Sequence, residues 1–224
     1  MGSLLVGQLA ALALLLPPPA AGPSSRAGTL RVPPLQLCAP LTTERYGAAT
    51  LHVDLLGTRS VRRVGSMPPK PESSVRVVFI SDTHSHLGEV SLPMGDVLCH
   101  TGDITFCSSG GKQTLEKFNQ ELAALPHPHK VVIAGNHDRR IEQLGSATTR
   151  EILSSAHYLE NSGVRLEGLH FWGSPISARR KRKSSNTAFQ YSEERQRLIW
   201  KCARARALVQ ASLARTSSAS VLAT

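Results

Sequence analysis

A chain of 224 residues with 41% hydrophobic content has material for one domain of ordinary size plus tails, and one core is expected. The net charge of +10 suggests nucleic acid or an acidic membrane surface as a partner, but the charge is unevenly spread. Residues 75–160 carry seven basic and ten acidic side chains and residues 161–224 carry twelve and three, which argues against a general polyanion-binding surface and for a basic tail on a near-neutral domain.

The first feature in chain order is the apolar run Leu4 to Leu16, of signal-peptide length and short for a bilayer span, followed by the small residues of PPPAAG. No Lys or Arg precedes it. Residues 1–21 are therefore read as an apolar leader, compatible with a secretory or organellar presequence and equally with an unstructured lead-in, and Met67 offers an alternative start. Residues 22–74 are rich in Pro, Ser, Gly and Arg, keep neither helical nor strand spacing for long, and are expected to be a disordered linker. Cys38, Cys99, Cys107 and Cys202 form no C-x-x-C pair, and free thiols in a reducing environment, slightly favouring the cytoplasm, are the expectation.

From Val75 the pattern sharpens, after the breaker SMPPKPESS. The stretches VRVVFI (Val75 to Ile80), DVLCH (Asp96 to His100) and KVVIAG (Lys130 to Gly135) predict three buried strands. Between the last two, Leu115, Phe118, Leu122 and Leu125 recur at helical spacing. Strand, helix, strand implies a parallel pair with a crossover. A further helix is predicted over Thr148 to Ser155, and two short strands or one bent one over Gly163 to Pro175. The domain is expected to run over residues 75–200, and residues 201–224 form an Ala/Arg/Ser-rich tail.

Each predicted strand ends in polar ligands: Asp82 and His84 after the first, Asp103 after the second, Asn136, His137 and Asp138 after the third. Sites in open α/β sheets gather at the carboxyl ends of parallel strands, so these residues should converge. Their oxygen and imidazole donors suit a divalent ion such as Mn²⁺, Fe²⁺ or Zn²⁺, and the two oxygens of Asp103 allow it to bridge two ions. Taken singly, each motif is explained by turn or cap chemistry. Three in order, each at a strand end, are not.

Asp-Thr-His at 82–84, Gly-Asp at 102–103 and Gly-Asn-His-Asp at 135–138 resemble the amino-terminal signature of calcineurin-like metallophosphoesterases. The surrounding ISDTHS, GDVLCHTGDIT and KVVIAGNHD, with GSP at Gly173 and NTAFQY at Asn186, are similar to the branch of metallophosphoesterase domain-containing proteins. The resemblance implies an α/β fold, a β-sandwich flanked by helices. It also implies a dinuclear centre in which Asp82, His84 and Asp103 hold one ion and Asp103 and Asn136 the other. A metal-bound hydroxide would attack phosphorus, His137 would stabilise the phosphoryl oxygens and protonate the leaving group, and Asp138 would hold the His137 imidazole in the right tautomer.

The family pattern also has a histidine at a later strand end and a Gly-His-x-His motif, and this chain has neither. After His137 only His157 and His170 remain, and His170 is read as a structural strand residue. Four of seven expected ligands are present, so weakened metal binding and an incomplete carboxy-terminal half of the fold are expected. His86 is a candidate for the pocket rim and His100 for strand packing. The run Ala178 to Lys183 (ARRKRK) follows the GSP motif, with Arg180 and Lys181 as candidates for holding substrate phosphate; a solvated loop, a nuclear address or an RNA contact are the alternatives.

Two functions compete. One is a metal-dependent phosphoesterase hydrolysing a phosphodiester or phosphomonoester, with a small phosphoester such as a nucleotide as substrate. The other is a truncated, catalytically silent relative that binds a nucleotide or a protein through the retained pocket. Nucleic-acid binding through the basic loop is weaker, since no aromatic residues are interleaved there.

Overall fold

The computed structural model of the chain describes residues 12–15, 49–53, 58–106, 111–177 and 186–203, the first two segments as backbone alone. Its centre is a parallel sheet of four strands, β4 (Val77–Ile80), β5 (Val97–His100), β6 (His129–Val132) and β7 (His157–Tyr158), in that spatial order. The fold is α/β, as the strand, helix, strand pattern requires. Helix α1 (Lys112–Ala124) crosses between β5 and β6 with Leu115, Phe118 and Leu122 buried on one stripe. It ends at Leu125, which is extended because Pro126 follows.

Alternation along the central strands divides the core into two layers. Val78, Leu98, Val132 and Ala134 face Leu115, Phe118 and Leu122 of α1, together with Ile141 of α2 (Arg139–Ile152) and Phe189. Val97, Cys99, Val131 and Ile133 face the other way, onto Leu159, Leu166 and Phe171. Those last two residues belong to the antiparallel hairpin of β8 (Ser162–Leu166) and β9 (Leu169–Gly173). Its turn, Glu167 and Gly168, has both residues at positive φ, which suits a two-residue hairpin. The sequence therefore gives two strands here rather than one bent strand.

Helix α2 begins nine residues before the predicted Thr148 and is interrupted at Gly145, whose φ of 78° and ψ of 166° lie outside the helix. Glycine tolerates that conformation without strain. A last helix spans 193–203. Within the leader, β1 (Leu12–Leu15) pairs antiparallel with β9, Leu12 opposite Gly173 and Leu15 opposite His170. Within the stretch read as linker, β2 (Ala49–Val53) pairs with β3 (Arg59–Arg63). At the opposite edge of the parallel sheet, Val77 packs against the core under the second sheet but Phe79, on the same face, is 53% exposed, so the described second sheet covers β4 only in part. No described helix is long and apolar enough to cross a membrane. Arg180 and Lys181 lie outside the described residues.

Candidate metal centre

The site is built where β4, β5 and β6 end. Backbone pairing continues past the strands: Asp82 N–H donates to Gly102 O (3.0 Å), His84 N–H to Asp103 O (3.2 Å) and Ser85 N–H to Ile104 O (2.7 Å). These loops are left-handed at Asp82, His84, Ser85, Gly102 and Asp103, a conformation that non-glycine residues rarely adopt. Gly102 and Gly135 pack backbone against backbone, and a Cβ on Gly135 would collide with the Asp103 carboxylate. Two glycines thus bring the second and third loops close enough for their side chains to meet.

Donor atoms of His84, Asp103 and His137 all lie within 4.8 Å of one another. His84 donates from Nδ1 to the Thr105 carbonyl (3.0 Å), which leaves the lone pair of Nε2 for a ligand. Histidines that hold metals are oriented in this way. Asp103 is buried, and its Oδ1 accepts the backbone N–H of His137 (3.0 Å). Burial pushes the Asp103 carboxyl above its ordinary range, Asp82 pushes in the same direction, and His137 and His84 pull it back. Asp82 therefore lies within electrostatic reach, although its carboxylate is exposed and accepts from Ser81 Oγ.

Asn136 is 2% exposed, and its Nδ2 has no partner. A carboxamide turned by 180° exchanges nitrogen for oxygen, so this position accepts a ligand bond as readily as a donor. An open imidazole nitrogen, a buried carboxylate and an orphaned carboxamide together fit a divalent ion.

Asp138 is placed differently from the expectation that it holds the His137 imidazole. Its Oδ1 accepts from Thr105 N (2.8 Å) and Thr105 Oγ1 (2.9 Å), and its Oδ2 from Gly135 N (2.8 Å) and Ile104 N (3.1 Å). Four donors fill the capacity of a carboxylate. Asp138 is a fully buried clamp between the second and third loops, and burial pushes its carboxyl up to about 6 against the pull of those donors.

Asn186 does reach the imidazole: its Nδ2 lies 2.8 Å from His137 Nε2. Sequence inspection singles out NTAFQY without assigning Asn186 a role, because a contact over 49 residues leaves no mark in local spacing. Phe106, 56% exposed, sets its ring against His84 at 5.5 Å.

The other histidines stand apart. His86 is exposed and paired with Glu89 (2.8 Å), His157 is exposed on β7, and His170 is half-buried on β9. His100 is buried against Phe118; Gly102 N–H donates to its Nδ1, so its Nε2–H donates to Thr83 Oγ1. Burial, and then the nearby His84, push its pKa down to about 3.

A family model described as calcineurin-like phosphoesterase matches residues 75–192. UPF0046 protein K07C11.7 of Caenorhabditis elegans is 34% identical over 134 residues, covering 54% of this chain and 46% of that protein. UPF0046 protein C25E10.12 of the same organism is 41% identical over 120 residues, 46% of this chain and 42% of that protein. Metallophosphoesterase domain-containing protein 1 of Homo sapiens is 34% identical over 129 residues, 48% of this chain and 39% of that protein. The chain spans less than half the length of each.

Proposed function

Since the chain belongs to the calcineurin-like phosphoesterases, we propose that it hydrolyses phosphoric esters, phosphodiesters in particular, with divalent ions (Mn²⁺, Fe²⁺ or Zn²⁺) held by Asp82, His84, Asp103 and Asn136. The observation that carries this reading is the meeting of His84, Asp103 and His137 within 4.8 Å at the tips of three parallel strands. A bound divalent ion supplies an activated water and a Lewis acid for a phosphoryl oxygen. In the dinuclear form of the reading, Asp103 would be the residue shared by the two ions.

The chain's own residues do the rest. Asp103 docks the His137 backbone and so fixes the imidazole, with Nε2 3.9 Å from Oδ2, where it binds a phosphoryl oxygen and gives a proton to the leaving group. Asp138 holds the two loops in register. A small phosphoester, a nucleotide among the candidates, fits this chemistry, and Arg180 and Lys181 are proposed to add positive charge toward its phosphate.

A second reading, a catalytically silent module that binds a nucleotide or protein, is favoured by one observation: neither His157 nor His170 joins the cluster. Mn²⁺-dependent hydrolysis of bis-p-nitrophenyl phosphate by the full chain, with Asp103→Asn as control, separates the two. Turnover that disappears in the variant supports the hydrolase. Folded protein without turnover supports the binding module, and full turnover in Asp103→Asn would overturn the assignment of Asp103.

A further inference from the structure

Exposure rises steeply across the candidate site. Asp103, Asn136 and His137 are each less than a tenth exposed and form a polar floor, and His84 is half-buried. Phe106 stands beside them at the surface, 56% exposed. Its ring centroid lies 5.5 Å from that of His84, edge against face at 89°, and 6.2 Å from that of His137, with the planes 31° apart. The two imidazoles are 4.8 Å apart, so the three rings close a triangle whose two polar corners belong to the cluster. Val61, Phe79, Met94, Phe106 and Leu198 are the large apolar side chains exposed among the described residues, and Phe106 is the one set against these imidazoles. An exposed apolar side chain is ordinary on a surface. One held against a cluster of metal-type donors stands where a ligand would lie.

The backbone beside Phe106 enforces this placement. Thr105 gives its N–H (2.8 Å) and its hydroxyl (2.9 Å) to Asp138 Oδ1, and its carbonyl accepts from His84 Nδ1 (3.0 Å). The residue that orients the His84 imidazole is thus the one from which Phe106 continues, and ring and imidazole are tied to one short piece of chain.

An ester whose phosphoryl group sits on the polar floor leads its organic group outward, past the rim. We infer that Phe106 is a specificity-determining residue at that rim: its ring stacks against an aromatic group carried by the ester, a nucleobase in a nucleotide, and favours such esters over those with a purely aliphatic arm. An aromatic face offers this contact to any base, because every base has a π-face. The inference rests on the reading of this site as one that takes phosphoesters.

The test compares adenosine 5′-monophosphate with ribose 5-phosphate, which share phosphate and sugar and differ by the base. Binding of each to the Mn²⁺-loaded full chain is measured by calorimetry, in the unsubstituted protein and in Phe106→Ala, Phe106→Leu and Phe106→Trp. The nucleotide should bind ~10-fold more tightly than the sugar phosphate in the unsubstituted protein, the scale of one base–aromatic stack. That preference should fall below about twofold in Phe106→Ala and in Phe106→Leu, which keeps apolar bulk without a ring face, and should return in Phe106→Trp. Ribose 5-phosphate should bind all four proteins within about twofold, which shows that the variants keep the floor of the site. Equal affinities in the unsubstituted protein, or a preference that survives in Phe106→Ala or Phe106→Leu, would overturn the inference, and so would failure of both monoesters to bind. A preference that depends on Phe106 in a protein without turnover of bis-p-nitrophenyl phosphate would uphold the inference while removing hydrolysis.

Discussion

Along β4, β5 and β6 the chain is regular and mostly apolar, and its side chains alternate between two cores. Just beyond β4 and β5, at Asp82, His84, Ser85, Gly102 and Asp103, the backbone turns left-handed five times. Four of those residues are not glycine, and each left-handed residue of that kind costs on the order of 1–3 kcal/mol. The strand bodies are stabilised by burial of apolar surface, whereas the tips persist because their surroundings over-determine them, and Asp138 with its four donors is the chief constraint. Rigid strands carry a strained rim, and the rim carries the chemistry.

Substitutions at the two ends of the strands should therefore fail differently. Asp138→Ala leaves the N–H groups of Gly135, Ile104 and Thr105 and the Thr105 hydroxyl without their buried acceptor, and a loss on the order of 5 kcal/mol is expected in urea unfolding. A loss below about 1 kcal/mol would mean that the loops are held by something else. Phe118→Ala, in the body, should cost ~4 kcal/mol through its cavity while leaving metal affinity of the folded protein unchanged. Gly135→Ala should cost about 3 kcal/mol, since its Cβ would meet the Asp103 backbone nitrogen as well as the carboxylate, and it should abolish metal binding by displacing Asp103. If Phe118→Ala weakened metal binding and Gly135→Ala did not, the division between body and tip would be wrong.

The smallest effect is set by pH. His100 is held neutral with its pKa near 3, below its value in the unfolded chain, so its contribution is complete above about pH 6.5 and declines as pH falls toward 3. Between pH 7.5 and pH 5 the unsubstituted protein should lose ~2 kcal/mol through this group, a loss that His100→Gln should not show. Asp138, raised to about 6, acts in the opposite sense, so the comparison of protein and variant, at matched pH, carries the test. Equal slopes for the two would show that His100 takes up protons in the fold.

The bodies were legible in the sequence because alternation and helical spacing are local. VRVVFI, DVLCH and the Leu115, Phe118, Leu122 stripe all sit where they were expected. The tips were legible as residue types, and His84, Asp103 and His137 do meet. Their partners were not. Asp138 looked like a companion for the adjacent His137, but four donors from three residues claim it, two of them more than 30 positions away. Asn186 reaches His137 across 49 residues. Hydrogen-bond partnership is a property of the folded surface, and neighbours in sequence compete poorly with loops already packed together. In β1, β2 and β3, short strands lie inside stretches whose overall composition is leader-like or linker-like.

The central claim is that the three strand tips hold a divalent ion through Asp103. Calorimetric titration of Mn²⁺ into the full chain and into Asp103→Asn tests it most directly. Saturable binding in the first, lost or at least ~10-fold weaker in the second while the melting transition is retained, is the predicted result. Equal affinity in the two proteins would contradict the account.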